Sequence, residues 1–258
     1  MMARAPGTLA ITMAGLGSRF RSAGYACPKY RIDVLGRSLF DWSMLGLAAF
    51  RQAGWRFDFA MLATDDAQSF VRHRCTALGI QVGNIIELEG MTDGQATTAL
   101  MLAQACDAVA PFAVFNIDTF VDPRALTIGD LPKDVDGWLP CFPGPGDAWS
   151  FVRTDADGRA VEVREKKRIS PYATVGLYWF SSAAMYTTTY DRFFSNGLGV
   201  ERNERYIAPM YNLMIEEGRN VTISHLTLDQ VGMLGTPAQV ENFETDPPAS
   251  ARRLMIAS

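Results

Sequence analysis

The chain has 258 residues, of which 48% are hydrophobic and 20% are charged. That length fits one large α/β domain, and the composition is that of an ordinary globular protein. We therefore expect disorder only in the first few residues and the last dozen. The formal net charge of −4 disfavours general nucleic-acid binding, which requires a basic surface. Any anionic ligand must be held by a local cluster of basic side chains.

Neither a membrane span nor a secretory signal is expected. No apolar run approaches the roughly 18 residues needed to cross a bilayer. Residues 1–8 lack the long apolar stretch of a signal peptide. The cysteines are widely spaced and form no C-x-x-C pair: Cys27, Cys75, Cys106 and Cys141. This usage predicts reduced, structural cysteines in a cytoplasmic protein without a zinc site.

The first half of the chain alternates apolar strand patterns with helical patterns. In chain order, these predict a strand at 9–14, a helix at 38–53, a strand at 57–63, a helix at 67–78, a strand at 80–88, a helix at 95–108 and a strand at 112–117. Such alternation implies βαβ units, and hence a Rossmann-like, mostly parallel sheet with helices on both faces. Ligands of such sheets bind at the carboxyl ends of the strands.

The second half of the chain changes character and makes the sheet mixed. Its patterns predict a strand at 137–142, a hairpin of 150–153 with 160–164, a strand at 175–180, helices at 182–194 and 204–217, a strand at 220–225 and a short final helix that includes 239–244. We expect a single α/β domain over 1–258, with one half at about 8–135 and a second half at about 136–246. The second half contains a small β-rich subregion.

The clearest chemical pattern is the loop after the first strand, Met13-Ala14-Gly15-Leu16-Gly17-Ser18-Arg19-Phe20, followed by Pro28-Lys29. Its glycines let backbone N–H groups approach a phosphate closely. Ser18 adds a hydroxyl donor, Arg19 a planar charged fork and Lys29 a compact charge. A glycine pair alone also fits a plain strand–helix turn, but the basic side chains favour a phosphate site. Neither the dinucleotide fingerprint nor the Walker A loop fits this spacing.

The segment from Met13 to Lys29 resembles the signature of the nucleoside-triphosphate transferase family, the sugar-phosphate nucleotidylyltransferases. Leu16 stands where that family usually has a glycine. Further pieces match in the family's order, so the resemblance covers about residues 11–240. These pieces are Gly94-Gln95-Ala96-Thr97-Thr98-Ala99, Asn116-Ile117-Asp118, Glu165-Lys166, the strand containing Gly176, and Leu234-Gly235-Thr236-Pro237.

The resemblance implies an in-line reaction in which a phosphate oxygen of an acceptor attacks the α-phosphorus of a nucleoside triphosphate. Pyrophosphate is then released. The loop over residues 14–18 and Arg19 would hold the triphosphate tail, and Lys29 would stabilise the transition state. The base and ribose would lie on Gly94, Gln95 and Thr98. The half at about 8–135 would therefore bind the nucleotide.

The metal and the acceptor are also implied by the resemblance. Asp118 would hold Mg²⁺, a hard cation that prefers carboxylate and phosphate oxygens. Many relatives carry a second metal-binding aspartate two residues before the late Gly-Thr-Pro, where this chain has Met233. Asp229 lies four residues earlier and would substitute if the loop bends. The acceptor half, at about 136–246, would use Glu165, Lys166 and Gly176, with Lys166 on the acceptor's phosphate.

Each assignment has a purely structural alternative. In one, Asp118 caps a helix that begins near residues 122–123. In another, Lys166 belongs to an exposed charge run that continues to Arg168. In a third, residues 94–98 are only the start of a helix, capped by Thr92 or Asp93.

Three functions remain open at this stage, with nucleotidyl transfer favoured. A glycosyltransferase with the same nucleotide-binding sheet would use residues 116–118 as a degenerate D-x-D motif. A non-catalytic nucleotide-binding relative is suggested only by Met233. Gln95 could hydrogen-bond the edge of a pyrimidine base, which weakly favours CTP, UTP or dTTP as the nucleotide donor. The acceptor could be a sugar 1-phosphate, choline phosphate or another small phosphorylated alcohol, feeding surface polysaccharide or lipid synthesis. A homo-oligomer is compatible with the sequence.

Overall fold

The computed structural model describes residues 6–195, 200–201 and 204–256. Its strands are, in chain order, β1 (Thr8–Thr12), β2 (Asp33–Val34), β3 (Arg37–Ser38), β4 (Arg56–Leu62), β5 (Val82–Leu88), β6 (Phe112–Asn116), β7 (Thr119–Val121), β8 (Gly137–Phe142), β9 (Ser150–Thr154), β10 (Ala160–Glu165), β11 (Ala173–Thr174), β12 (Leu177–Phe180), β13 (Val200–Glu201), β14 (Glu204–Arg205), β15 (Val221–His225) and β16 (Val231–Met233).

The helices of the described part are α1 (Ser18–Ser22), α2 (Leu39–Leu45), α3 (Ala48–Gln52), α4 (Gln68–Leu78), α5 (Gln95–Ala103), α6 (Ala183–Phe194), α7 (Met210–Glu216), α8 (Pro237–Thr245) and α9 (Ala249–Ile256). Short 3-10 turns lie at Lys29–Arg31, Ala63–Asp65, Ile128–Asp130 and Leu228–Gln230.

Among the described residues, ten strands form one sheet in the order β10-β9-β11-β8-β12-β6-β1-β4-β5, with β15 paired to β8 beside this path. Strands β5, β4, β1 and β6 run parallel to one another. Strand β12 is antiparallel to both β6 and β8, and β9 with β10 forms the predicted hairpin. The predicted α/β class with a mixed sheet is confirmed: the first half of the chain builds the parallel part and the second half the β-rich part.

Helices cover both faces of the sheet because side chains of a buried strand alternate between two apolar cores. Leu9 and Ile11 of β1 enter the core that contains Phe40 of α2. Ala10 enters the opposite core, with Tyr186 of α6. Both cores are closed to solvent, which explains why the parallel strands read as nearly continuous apolar runs.

A third core packs α1, α2, β7 and α8 together. Trp42 of α2 makes edge-to-face contacts with Phe120 of β7 and with Phe243 of α8, at centroid distances of 5.5 Å and 5.2 Å. Phe20 of α1 is buried in the same core. The helix that follows the loop after β1 and the helix that follows the C-terminal Gly-Thr-Pro segment therefore pack in the same core.

The helix predicted over residues 38–53 is two helices, α2 and α3, with Gly46 between them. A Cβ on Gly46 would lie 2.9 Å from the carbonyl oxygen of Val121. The close approach of β7 therefore requires glycine at this point. Gly46 keeps helical dihedral angles, φ −62° and ψ −17°, and the regular helix is lost at Leu47, which has φ −96° and ψ 19°. The apolar periodicity did not reveal this tertiary contact.

The C-terminal dozen, expected to be disordered, instead contains helix α9. Helix α8, which covers the predicted 239–244, is therefore not the final one. Ala251 is buried, and the guanidinium of Arg253 donates to Asp122 Oδ2 at 2.8 Å. Through these contacts α9 packs against the rest of the domain.

Two expectations drawn from composition also have structural outcomes. All four cysteines lie in the described part and are free thiols. Cys75 is buried, which raises its pKa to about 12 and suits a structural role. Within the described ranges, no helix is both long enough and apolar enough to cross a membrane.

Candidate functional site

A cleft lies at the carboxyl ends of β1 and β6, where ligands bind in sheets of this kind. It consists of two adjoining cavities, of ≈ 270 Å³ and ≈ 350 Å³. The first cavity is lined by Ala14 and Gly15 of the loop after β1, by Lys29 and by the start of α5. The second is lined by the end of β10, by Tyr206 and by the C-terminal Gly-Thr-Pro segment. Both cavities share Gln95, Asn116, Asp118 and Glu204.

Most of the predicted site residues meet at this cleft. The first cavity contains Ala14, Gly15, Lys29, Gly94, Gln95, Thr98 and Asp118. The second contains Arg19, Glu165, Lys166 and Gly176. Arg19 was expected to hold the triphosphate tail with the loop at 14–18, but it lines the second cavity and not the first. Leu16, Gly17 and Ser18 lie outside both linings.

The loop after β1 owes its shape to glycine. Gly17 has φ 59° and ψ 33°, in the left-handed region that glycine adopts without strain, and α1 begins at the next residue. Leu16, which occupies a usual glycine position, is 44% exposed. Its side chain points to solvent, so the loop tolerates it.

Lys29 and Asp118 form an ion pair in the middle of the cleft. Lys29 Nζ donates to Asp118 Oδ2 at 3.2 Å, and the two side chains are 20% and 32% exposed. Lys29 begins a 3-10 turn directly after Pro28, which positions it opposite the end of β6. Strand β7 follows Asp118 at once, so the alternative role as a helix cap is wrong.

The late Gly-Thr-Pro segment lies against Asp118. The amide of Leu234 donates to the carbonyl oxygen of Asp118 at 2.9 Å. A Cβ on Gly235 would lie 3.4 Å from Asp118 Oδ2, and the Gly235 amide donates to Gln239 Oε1 at 3.0 Å. Strand pairing of β16 with β7 thus brings this distant segment of the chain to the carboxylate.

The side-chain amide of Gln95 is oriented by two acceptors. Its Nε2 donates to Thr12 Oγ1 at 2.9 Å and also to Asn116 Oδ1. Both of its N–H donors are thereby used, so the carbonyl oxygen remains to contact a ligand. Within the described residues no side chain caps α5, so the capping role considered for Thr92 and Asp93 is wrong.

Lys166 faces the second cavity and is not part of an exposed charge run. Its Nζ donates to the hydroxyl of Tyr206 at 2.6 Å and lies 3.6 Å from Glu165 Oε1. Glu165 Oε2 in turn accepts from Ser150 Oγ at 2.5 Å. Arg168 points elsewhere and donates to the carbonyl oxygen of Gly144 at 2.5 Å.

Gly176 is required by its own conformation and by its neighbour. It has φ 80°, and a Cβ there would lie 2.8 Å from Asn116 Nδ2. The carbonyl oxygen of Gly176 accepts a hydrogen bond from the backbone N–H of Asn116 at 3.0 Å. Gly176 therefore holds Asn116, which both cavities share, against the floor of the cleft.

We expect Gly176→Ala to reduce both stability and ligand binding. The left-handed backbone costs an L residue about 1–2 kcal/mol, and the new methyl group must displace Asn116. Gly158→Ala is the matched control, because Gly158 has φ 81° and a Cβ there would meet no described atom within 4 Å. Thermal unfolding should show destabilisation in both variants, whereas only Gly176→Ala should lose ligand binding. Equal binding by the two variants would contradict this role.

Several cleft residues were not predicted from the sequence. Glu204 and Tyr206 were placed inside a helix over 204–217, but β14 occupies Glu204–Arg205 and α7 begins only at Met210, after Pro209. The run Glu204-Arg205-Tyr206 has no alternation of polar and apolar residues that would have indicated an extended segment. Asn116 was recognised only as part of the Asn116-Ile117-Asp118 motif, and no role in the site was predicted for it. Trp149 and Gln239 also line the second cavity, without a recognisable pattern, whereas Tyr178 belongs to the strand of the Gly176 motif, which was expected there.

Tyr178 contributes a neutral hydroxyl to the second cavity. Burial, followed by the negative charge of Glu165, raises its pKa to about 12. The phenol therefore stays protonated at any ordinary assay pH. Its hydroxyl lies 3.4 Å from Ser150 Oγ, beside Glu165.

The structure does not bring Asp229 to Asp118. Asp229 lies in the 3-10 turn Leu228–Gln230, where its carboxylate accepts a hydrogen bond from the hydroxyl of Thr227. It lines a separate cavity with Met233 and Asp246. The loop was expected to bend so that Asp229 replaces the missing aspartate at Met233. That expectation is wrong, because the capped turn holds the Asp229 carboxylate beside the separate cavity.

The side chains of the cleft fit a magnesium ion held mainly by its substrate. In the ranges that the structure describes, no group of three or more His, Cys, Asp or Glu side chains could hold a metal. Mg²⁺ commonly keeps several waters and binds one or two carboxylates together with substrate phosphates. The carboxylate of Asp118, which lines both cavities and is partly exposed, suits that kind of coordination.

Comparison with known proteins finds similar solved structures. No protein-family model matches the sequence, and no curated protein matches it. Among solved structures, a nucleoside-diphosphate-sugar pyrophosphorylase from Vibrio cholerae RC9 is 34% identical, with a TM-score of 0.84, over 92% of this chain and 100% of that chain.

Two further solved structures share the fold at lower identity. The inositol-1-phosphate CTP transferase from T. maritima has a TM-score of 0.73 and 16% identity, over 99% of this chain and 97% of that one. A Bacillus anthracis protein described as a glucose-1-phosphate thymidylyltransferase has a TM-score of 0.74 and 14% identity, over 94% and 95% of the respective chains.

Proposed function

Because the chain belongs to the sugar-phosphate nucleotidyltransferase family, we propose that it transfers a nucleotidyl group from a pyrimidine nucleoside triphosphate to a sugar 1-phosphate or a similar small phosphorylated acceptor, and releases pyrophosphate. The main support within the site is the ion pair between Lys29, which lines the first cavity, and Asp118, which lines both adjoining cavities. A reaction between two phosphate groups needs a cation and a metal-binding carboxylate where the two groups meet.

In this proposal the triphosphate occupies the first cavity and the acceptor the second. An oxygen of the acceptor's phosphate attacks the α-phosphorus, and the bond from that phosphorus to the oxygen bridging it to the β-phosphorus breaks. The attacking oxygen is already ionised, so no general base is required. Catalysis then consists of positioning the reactants and neutralising their charge.

The charged side chains divide this work. The ammonium of Lys29 offsets negative charge at the α-phosphate in the transition state, and Asp118 orients that ammonium through the 3.2 Å contact. Asp118 would also hold Mg²⁺, which when bound with substrate phosphates neutralises charge on their oxygens. Lys166 binds the acceptor's phosphate. Arg19, which lines the second cavity, adds a positive charge near the same phosphate.

The pyrimidine in this proposal follows the names of two similar structures, a CTP transferase and a thymidylyltransferase, and Gln95 is compatible with it. Because its N–H donors are used by Thr12 and Asn116, its carbonyl oxygen is the group left to accept a hydrogen bond. The N3–H of uracil or thymine and the amino group of cytosine can both supply that bond, and so can the amino groups of the purines, so Gln95 alone does not select the base. The loop at 14–18, with Gly94 and Thr98, would complete the nucleotide half, at about 8–135.

Thermal unfolding with a panel of nucleotides tests this proposal. A ligand that binds only the folded state adds about 2.7 kcal/mol of apparent stability at roughly 100 times its Kd. With Mg²⁺ present, we expect CTP, UTP or dTTP to raise the unfolding midpoint more than ATP or GTP does. A shift with a nucleotide-sugar and with no triphosphate would instead support the glycosyltransferase alternative.

The wider setting belongs to the same proposal. An activated sugar or alcohol is a precursor for surface polysaccharide or lipid synthesis, so we place the enzyme in that type of pathway by analogy. Four free thiols are consistent with a cytoplasmic protein, where cysteines remain reduced. Retained turnover with Mg²⁺ would eliminate a non-catalytic role.

A further inference from the structure

The short segment Glu204–Tyr206 connects the two sides of the cleft. It is extended, so successive side chains point in opposite directions. Glu204 lines both cavities and Tyr206 lines the second. The side chain of Arg205, between them, makes its contacts with the segment before α5 and with α6.

On the cleft side, Tyr206 is a direct partner of Lys166. Its hydroxyl accepts from Lys166 Nζ at 2.6 Å and donates to Glu204 Oε2 at 2.5 Å. The ammonium also lies 4.3 Å from the centroid of the Tyr206 ring. An ammonium has three donors. Tyr206 accepts one hydrogen bond, and Glu165 attracts the ammonium from 3.6 Å. No other partner of this ammonium lies among the residues that the structure describes, so it can also donate to a phosphate oxygen.

The backbone of Lys166 does not by itself determine where the ammonium lies. Lys166 has φ 48°, in the left-handed region, and its amide donates to the carbonyl oxygen of Trp149 at 2.9 Å. This conformation turns the residue away from the direction of β10. The four-carbon side chain beyond it is flexible and needs a partner to fix its end.

On the other side, Arg205 is tied to the segment that leads into α5. Its amide donates to the carbonyl oxygen of Asp93 at 2.9 Å, and its Nε lies 3.1 Å from Asp93 Oδ2. Its guanidinium donates to Tyr190 at 2.6 Å and lies 5.2 Å from the centroid of the Phe194 ring. A Cβ on Gly94 would lie 2.4 Å from the Arg205 amide nitrogen, so the two segments are in direct contact.

We propose that Tyr206 is the positioning residue for Lys166, and that Arg205 fixes Tyr206 relative to the nucleotide-binding start of α5. This inference rests on the proposed function, since it assumes that Lys166 binds an acceptor phosphate. It makes the affinity for the acceptor depend on two residues that do not touch the reacting phosphorus. It also gives a reason for the close contact between Gly94 and Arg205.

Calorimetric titration of the protein with glucose 1-phosphate, and with choline phosphate if the first acceptor does not bind, tests this assignment without requiring turnover. We expect Tyr206→Phe to weaken acceptor binding about tenfold, because a hydrogen bond to a charged group is lost while the ring is kept. The affinity for the triphosphate and the unfolding midpoint should not change. Tyr172→Phe makes the same substitution outside the cleft and should bind the acceptor normally.

A double-mutant cycle separates a positioning role from a general structural one. In a Lys166→Met background, Tyr206→Phe should have no further effect on acceptor affinity. Arg205→Ala should also weaken acceptor binding, although the Tyr206 hydroxyl is intact. Normal acceptor binding by Tyr206→Phe, or additive effects in the cycle, would overturn the role of Tyr206. Normal acceptor binding by Arg205→Ala would overturn the anchoring role.

The failure of the proposed function gives a different result. If the wild-type protein binds neither acceptor, Lys166 has no phosphate to hold, and both the proposed function and this inference are wrong. If the wild-type protein binds an acceptor and Tyr206→Phe binds it equally well, only the inference is wrong.

Discussion

Lys29→Ala is expected to lower kcat by about 10²–10³-fold, the loss typical of removing one preorganised group that stabilises transition-state charge. Lys29 Nζ lies 3.2 Å from Asp118 Oδ2, beside the position proposed for the α-phosphate. Its interaction with the phosphates strengthens as charge builds up, so kcat should fall more than the KM for the triphosphate rises. Steady-state kinetics with the triphosphate selected by thermal unfolding provides the measurement.

The fold should survive this substitution. Lys29 and Asp118 are both partly exposed, so loss of the ammonium does not leave a fully buried charge. Lys133→Ala is the matched control, because it removes an exposed lysine outside the cleft. Turnover of Lys29→Ala close to that of Lys133→Ala would remove Lys29 from the mechanism.

Asp118→Asn is expected to abolish turnover together with its dependence on Mg²⁺. The amide has nearly the shape of the carboxylate but lacks the negative charge that a hard cation requires. The substitution also removes the ionic partner of Lys29. Turnover should be measured across a magnesium titration, in which the wild type shows saturation and the variant stays near zero.

Asp229→Asn is the informative comparison for the metal. Asp229 was expected from the sequence to substitute for an absent aspartate, but its carboxylate lies in a capped turn beside a separate cavity. We therefore expect Asp229→Asn to keep the magnesium dependence of the wild type. If Asp229→Asn loses that dependence while Asp118→Asn retains it, the metal assignment is reversed.

The fold was largely predictable because its main strands carry local patterns. The apolar runs of β1, β4 and β6 each end at a polar or glycine-containing loop, and the turn at 155–158 joins β9 to β10 as predicted. Predictions failed where tertiary contacts override local preference. The break between α2 and α3 lies where β7 approaches Gly46 closely, and the segment at 204–206 is extended where the Arg205 amide pairs with Asp93.

The site was predictable to the extent that motifs carry it. Lys29 and Asp118 lie 89 residues apart, yet the family order placed both in one reaction, and their side chains are in contact. Glu204 and Tyr206 have no motif, since only the folded chain brings them to Lys166. Asp229 shows the opposite error, because nearness in sequence to the Gly-Thr-Pro segment does not determine where a turn directs a carboxylate.

Pyrophosphate release is the most direct test of nucleotidyl transfer. The purified protein should be incubated with Mg²⁺, one pyrimidine triphosphate and one sugar 1-phosphate, with each component omitted in turn. We predict that pyrophosphate and the nucleotidylated acceptor form in equal amounts, and only when all three components are present. Pyrophosphate release that does not depend on any phosphorylated acceptor, or its absence with every triphosphate and acceptor pair, would contradict this account.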